Sequence, residues 1–567
     1  MTALAAPRAA PRRARLLDLL RRSALAGFAV DLREWVRRPR LQQDLWRDFL
    51  RTWREAAVLR DLPPGGDRAA LVISFGTIGQ TKMEGILAAG LRRQGWTVAA
   101  FTSRTLPWIR RYYRAYGVTR HFLTQDFQVD TATAARCARE AADYLGGDLS
   151  FRAVKGWTYR GVRIGAPLLA NIQRTDLLGT PDPADPAVHA GLTALLPRIL
   201  AWVHQSERLL DAARPQLMLL TEANDWNAPL VDLALARGID IVQFVQPSRD
   251  DALILKRLNA ETRRFHPSSL TPGTLARLAA EPWTAAQEAE LEQEFADRYG
   301  GRWFLQRRNQ PGTQAKSRDE IMAALGLDPA KKTAAVFSHI IWDANLFFGE
   351  DLFEDYADWL VQTARAAAAN PALNWIFKLH PANVWKRAYV NEAGELAEFT
   401  VLRRAGLLPL PGHVALVEPQ TDISTLSLFQ NIDYGITVRG TTGLELPCFG
   451  VPSLTAGTGR YSGLGFTRDF ASKEDYLACL ARLQEMPSMT PEETLQARRH
   501  AHALFRRRPW VFTSFRSTFN LPKQGSHPLA YNFALAARSW AEIDANGDLR
   551  RFADWAGDPA RPADYLE

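Results

Sequence analysis

Two patterns of apolar residues recur along this chain. One is a short run rich in β-branched residues, bounded by Gly, Pro or small polar residues, which predicts a buried strand. Such runs fall at residues 69–75 (AALVISF), 97–101, 216–221, 239–245, 334–337, 375–379, 414–417, 434–438 and 451–454. The other spaces apolar residues three or four apart, which predicts helices at 83–94, 228–237, 351–369 and 424–430. Strand and helix alternate twice along the chain, so the expected fold class is α/β with two Rossmann-like domains. Residues 66–265 form the first and residues 331–490 the second. Residues 266–330 read as a helical connection, broken at Pro272-Gly273 and Pro311-Gly312. Residues 102–210 are mostly helical and rich in aromatic and basic residues.

Charge adds a fifth region. Net charge is +9, and residues 1–60 hold fourteen arginines against six acidic residues, so the rest of the chain is close to neutral. Residues 1–14 are Ala/Pro/Arg-rich and expected to be disordered. From 16 to 59 helical patterns carry Leu16, Leu17, Leu20, Trp35, Leu45, Trp46, Phe49, Leu50 and Trp53 among the arginines. Residues 1–65 therefore read as a basic helical arm. It either meets an anionic membrane surface or packs its apolar side on the globular body. No nucleic-acid-binding motif accompanies the arginines. Arg21 and Arg22 interrupt the leucines, which argues against a secretory signal, and no run reaches the roughly 20 apolar residues of a membrane span. The three cysteines, Cys137, Cys448 and Cys479, have neither metal nor disulfide spacing, which fits a reducing compartment, and no metal or other cofactor is expected.

The chemistry concentrates at 433–458, DYGITVRGTTGLELPCFGVPSLTAGT. A strand runs into Arg439-Gly440-Thr441-Thr442-Gly443, a small, flexible turn that opens a short helix. Free N–H groups and two hydroxyls there suit an anion. Glu445, one turn in, is placed to accept ribose hydroxyls. Alternatively, one threonine caps the helix and Glu445 is a solvated first-turn acid. A second strand ends in Lys378-Leu379-His380-Pro381, where Lys378 and His380 share one face, as a cation pair would for a phosphate.

These two stretches, followed by Gly459-Arg460-Tyr461, resemble the capsule polysaccharide biosynthesis family over about residues 330–470; the match is weak over the N-terminal half and absent at both ends. That family contains two-domain GT-B glycosyltransferases, including Kdo transferases. This chain has Thr-Thr where the family often has Ser-Thr. The resemblance implies a cleft between the two domains, a glycan or glycolipid acceptor held by residues 66–265, and a nucleotide-sugar donor, with CMP-Kdo favoured, bound by residues 331–490. It also implies a cytoplasmic location, peripheral to the inner membrane if the arm binds lipid. Residues 491–567, with Trp510, Phe512, Phe515 and Phe519, would return across the first domain.

Within this pattern other residues become candidates. Gly76, Thr77, Gly79 and Lys82 follow the first strand and would face the cleft, although a tight turn with Lys82 in solvent explains them equally. Ser338, His339 and Asp343 follow the first strand of the second domain; His339 is a packing residue in the alternative reading. Thr421 and Asp422 would border the base, or Asp422 caps a helix. Arg460 and Tyr461 would contact sugar or phosphate. Glu222 and Asp225 end a strand as part of a polar cleft wall, and either is a candidate base for an acceptor hydroxyl unless Asp225 merely caps the next helix. Lys378, His380 and the threonine hydroxyls would stabilise the leaving nucleotide without a metal. Rival functions are a nucleotide-sugar epimerase, a polyol-phosphate transferase, or a non-catalytic, membrane-associated component of a polysaccharide assembly complex.

Overall fold

A computed structural model of the chain describes residues 26–63, 65–176, 179–343, 346–390, 394–519 and 527–567. The disorder expected for 1–14 and the Leu16–Leu20 pattern lie outside these residues. Helices α1 (Ala26–Arg37) and α2 (Pro39–Glu55) form the arm. The inner face of α2 buries Gln42, Leu45, Asp48 and Thr52 against the first domain.

The first domain contains strands β1 (Ala69–Ile73), β2 (Thr97–Thr102), β3 (Arg120–Leu123), β4 (Leu217–Leu220), β5 (Asp240–Val245) and β6 (Ala252–Leu258). Its helices include α3 (Ile78–Arg93), α4 (Gly165–Asp176) and α5 (Pro186–Ala213). Alternation along β1 sends Ala70 and Val72 into one core and Leu71 and Ile73 into the other, so both faces of the sheet are covered. By length and composition α5 is apolar enough to cross a membrane, contrary to the sequence expectation. Here Leu192, Leu196, Ile199, Leu200 and Leu209 of this helix are buried in the second of those cores.

Helix α6 (Ala285–Tyr299) leads to the second domain. Its sheet comprises β7 (Thr333–Phe337), β8 (Asn374–Lys378), β9 (Val414–Val417), β10 (Tyr434–Thr437), β11 (Ser453–Thr455) and β12 (Arg468–Asp469), with helix α7 (Thr442–Cys448) after β10. The helix expected from 351 begins at Tyr356, because the Asp355 carboxylate caps the N–H groups of Ala357 and Asp358. The chain then returns to the first domain. Strand β13 (Pro509–Val511) pairs antiparallel with β6, and the hairpin β14 (Phe515–Phe519) and β15 (Tyr531–Leu535) follows. Trp510, Phe512, Phe515, Phe533 and Phe552 enter the same core as Ala70 and Val72.

The strand orders are β13-β6-β5-β4-β1-β2-β3 and β9-β8-β7-β10-β11-β12. The second sheet is wholly parallel; in the first, β6 and β13 run against their neighbours. Both orders reverse beside their first strand, at β1/β4 and at β7/β10. Ligands of open α/β sheets bind at such switch points, outside the carboxyl ends of the strands. Residues of both domains line a common cleft, so the architecture is two facing Rossmann-like domains of the GT-B kind, with a basic helical arm.

Candidate functional site

In the second sheet β8 and β10 flank β7, with Lys378 in register with Phe337 and Ile436 with Val336. The loops after these three strands therefore emerge side by side at the switch point. They are tied together. Ser338 N–H donates to the Lys378 carbonyl at 3.1 Å, and His380 N–H donates to Ser338 Oγ at 3.0 Å. His339 Nε2 meets the Thr437 hydroxyl at 3.1 Å and accepts the Arg439 N–H at 3.4 Å, while its ring stacks on Tyr356 at 4.2 Å. These loops line a cleft of about 640 Å³ whose far wall includes Pro247, Arg249 and Ile254 of the first domain.

The turn after β10 depends on glycine. A Cβ on Gly443 would fall 2.0 Å from the Tyr461 hydroxyl, which donates to the Gly440 carbonyl at 2.7 Å. Tyr461 is fully buried and acts as the brace of the turn; it is not the ligand contact the sequence suggested. The Thr442 hydroxyl is buried, lines the cleft and finds no hydrogen-bond partner among the described residues. An unsatisfied buried hydroxyl costs stability unless a ligand or water meets it.

Charge in the cleft is unbalanced. Lys386 pairs with Asp343, Arg439 with Asp351, and Arg298 with Glu445 at 2.6 Å. Lys378, Arg308 and Arg460 have no ion-pair partner among the described residues. Burial alone holds the Lys378 ammonium down at about 8, and burial lowers Arg308 to about 10. Arg308 instead lies over the Trp385 ring, 3.7 Å from its centroid. Several positive groups without counter-charge, in a walled cleft, make a site for an anion.

His380 departs from the expected cation pair. Burial first, then the nearby cations, push its imidazole down to about 4, so it is neutral at pH 7. Its Nδ1 accepts the Ala382 N–H at 3.1 Å, which assigns the single proton to Nε2. Lys378 supplies charge and His380 a neutral N–H donor.

Glu445 lines the cleft but is buried, not a solvated first-turn acid, and one of its two oxygens is taken. Its Oε1 accepts both Arg298 Nε at 3.1 Å and Nη2 at 2.6 Å, so this carboxylate anchors α6 to α7 at the edge of the cleft. Asp422 is exposed and pairs with Lys316, and Thr421 Oγ1 accepts the Ile423 N–H at 3.2 Å; neither lines the cleft. The first-domain loop points elsewhere too. Thr77 precedes α3, and Gly76 takes a φ of +84° to turn the chain. Gly79 sits so close to Tyr531 that a Cβ would lie 2.2 Å from its carbonyl oxygen. Lys82 is buried in an ion pair with Asp48 of α2 at 2.7 Å. Pro381 lines the cleft beside His380.

Glu222 and Asp225 stand at the switch point of the first sheet and are not among the residues that line this cleft; Glu222 is half-buried and close enough to the cleft-lining Asp343 to feel its charge. Asp225 is buried, holds a left-handed φ of +49°, and pairs with Arg174 of α4. Burial raises its pKa despite Arg174. Such a conformation in a non-glycine residue is sparsely populated and concentrates at functional sites. Arg263 fixes the same loop through the Asn224 side chain at 2.6 Å and the Ala223 carbonyl at 3.0 Å. Glu222 accepts the Asn224 N–H at 2.9 Å, and burial followed by Asp225 lifts it to about 7. Arg174 also reaches Asp343 of the second domain at 3.9 Å, so the chain Asp225–Arg174–Asp343–Lys386 links the two domains and ends at the cleft-lining Asp343 and Lys386.

Sequence reasoning missed Arg174, Arg298, Arg308, Trp385 and Lys386. The region taken as a connection supplies a wall of the cleft, including His266, Arg298 and Arg308. The dense Arg/aromatic content was the only available signal. Among the described residues no group of three or more His, Cys, Asp or Glu is arranged to hold a metal ion.

No protein-family model and no curated protein matches this chain. Solved structures similar to it include two Thermosulfurimonas dismutans KpsC structures. The beta Kdo 2,4 transferase is 12% identical, covers 54% of this chain and 82% of its own, and gives a TM-score of 0.32. The beta Kdo 2,7 transferase is 13% identical, with 61% and 88% covered and a TM-score of 0.30. A UDP-GlcNAc 2-epimerase from Neisseria meningitidis, bound to UDP-GlcNAc, is 9% identical, with 77% and 97% covered and a TM-score of 0.26.

Proposed function

We propose that this chain is a glycosyltransferase that binds a nucleotide-sugar donor in the cleft and passes the sugar to a hydroxyl of a cell-surface glycan or glycolipid. The observation that carries this reading is Lys378, a buried cation with no counter-ion among the described residues, lining the same cleft as Arg460 and the Thr442 hydroxyl, which has no hydrogen-bond partner among them either. A nucleotide's phosphate supplies the missing negative charge. As the bond to the sugar breaks, charge grows on the phosphate oxygen. Lys378, Arg460 and the His380 Nε2–H are fixed beforehand where that charge appears, which is how preorganised donors accelerate transfer. The sequence resemblance favours CMP-Kdo as donor.

Glu222, half-buried beside the cleft-lining Asp343, is the proton acceptor we assign for an acceptor hydroxyl that enters on that side. Its elevated pKa leaves it ionised above about pH 7 yet basic enough to take a proton. Asp225 is less suited, because its carboxylate is committed to Arg174. The deciding experiment is a calorimetric titration with CMP, UDP and dTDP, followed by product analysis with the donor whose nucleotide binds. Sugar transfer to an added acceptor supports the proposal. A sugar epimer formed without acceptor consumption favours the epimerase reading, and no binding of any nucleotide favours a non-catalytic role.

A further inference from the structure

We propose that the outer face of the arm, helices α1 and α2, docks on an anionic lipid bilayer. The inner face of the arm is fully used: Asp31 pairs with Arg111, Gln42 accepts from the Trp108 indole at 2.9 Å, and Asp48 closes the ion pair with Lys82. Apart from the Arg47–Asp44 pair and Arg60 lying over the Trp53 ring, both local to the arm, the outer face makes no ion pair among the described residues except where Arg51 reaches Asp48. Leu32 is 57% exposed, Val36 77% and Leu50 48%, with Trp35 and Trp53 also exposed. Five of the seven large apolar side chains exposed among the described residues thus fall on these two helices, the others being Val384 and Leu495.

The spacing gathers them. In α2, Arg40, Gln43, Arg47, Leu50 and Arg54 recur every three or four residues, and all are exposed. In α1, Leu32, Arg33, Val36 and Arg37 lie within about one helical turn and are exposed. Arg33, Arg37, Arg40 and Arg54 have no ion-pair partner among the described residues. Exposed Leu, Val and Trp interleaved with unpaired arginines match an interface of hydrocarbon beneath anionic headgroups: the apolar groups enter the acyl boundary, tryptophan sits at headgroup level and guanidinium groups meet phosphate. An acidic protein would meet the arginines but gives no reason for Val36 and Leu32 to be bare.

The test is co-sedimentation of the full chain with vesicles of phosphatidylcholine alone, and with about one third phosphatidylglycerol, at physiological salt. Binding is expected only to the anionic vesicles, weakening as salt rises. Replacing Arg33, Arg37, Arg40 and Arg54 by Gln together is expected to weaken it at least about a hundredfold, since each basic residue near an anionic surface contributes about fivefold. Leu32→Ser with Val36→Ser and Leu50→Ser is expected to weaken it comparably. Both variants alter exposed positions away from the cleft, so nucleotide affinity serves as the folding control. No binding of the full chain, unchanged binding of either variant, or equal binding to neutral vesicles overturns the proposal.

Discussion

Lys82 and Lys378 are both lysines shut inside an α/β domain, and they mean opposite things. Lys82 is 1% exposed and meets Asp48 at 2.7 Å; that carboxylate also accepts from Tyr112 at 2.7 Å and Asn532 at 3.0 Å. Four elements distant in sequence are thereby knotted together, and nothing is left over for a ligand. Lys378 is 5% exposed, with no counter-ion among the described residues, and burial alone depresses it. The first is a closed electrostatic unit. The second, on the proposed reading, is half of a unit whose other half is the nucleotide's phosphate. Burial marks neither as functional; the missing partner does.

Substitution separates the two. Lys82→Met leaves the exposed Arg51, at 2.6 Å, as the one cation on Asp48 among the described residues and is expected to destabilise the protein by about 3 kcal/mol in urea unfolding, while Lys82→Met with Asp48→Leu recovers only part of that loss, because Tyr112 and Asn532 lose their acceptor. Lys378→Met removes a buried charge with no counter-ion among the described residues, so it is expected to stabilise the nucleotide-free protein by about 3 kcal/mol, the fall of its pKa from 10.5 to about 8 setting the scale. A loss of stability instead would mean that Lys378 has a structural partner.

Turnover gives the next contrast. His380→Ala is expected to lower kcat by about 10²–10³ with the fold intact, the usual cost of one preorganised donor. Wild-type turnover by this variant would remove His380 from the site.

The pH dependence sharpens the comparison further. Lys378 loses its proton as pH rises through about 8, so nucleotide affinity should fall by about tenfold per unit above that pH. Binding should take up a proton near pH 8.5, because the anion favours the ammonium form. Glu222 must be ionised to accept a proton, so kcat/KM should rise as pH increases through about 7, and Glu222→Gln should abolish that limb. The smallest effect is expected from Lys331→Gln, a partly exposed lysine whose ammonium donates to the Pro371 carbonyl at 3.0 Å, which should change stability by less than about 1 kcal/mol.

The same contrast explains what the sequence could convey. Strand runs and the two turns after β8 and β10 are local patterns, so the α/β class and the placement of Lys378, His380, Gly440 and Thr442 around one switch point follow from nearest neighbours. Ion pairing is not local. Asp48 lies 34 positions before Lys82, and Arg298 lies 147 positions before the Glu445 it claims. A lysine after a Gly-rich strand end and a glutamate in a helix's first turn therefore looked available when both were taken. Tyr461 misled similarly: its hydroxyl is spent on the Gly440 carbonyl, a contact that only the return of the chain creates. Arg308 gave no motif at all, because its stack on Trp385 joins a region read as a connection to the helix after the KLHP strand.

One measurement bears on the central claim more directly than the rest: calorimetric titration of wild type and Lys378→Met with CMP, UDP and dTDP at pH 7, paired with their unfolding curves. The account predicts that the wild type binds at least one nucleotide, and that the variant binds it at least about a hundredfold more weakly while unfolding at higher denaturant. A wild type that binds no nucleotide, or a variant that binds as tightly as the wild type, would contradict it.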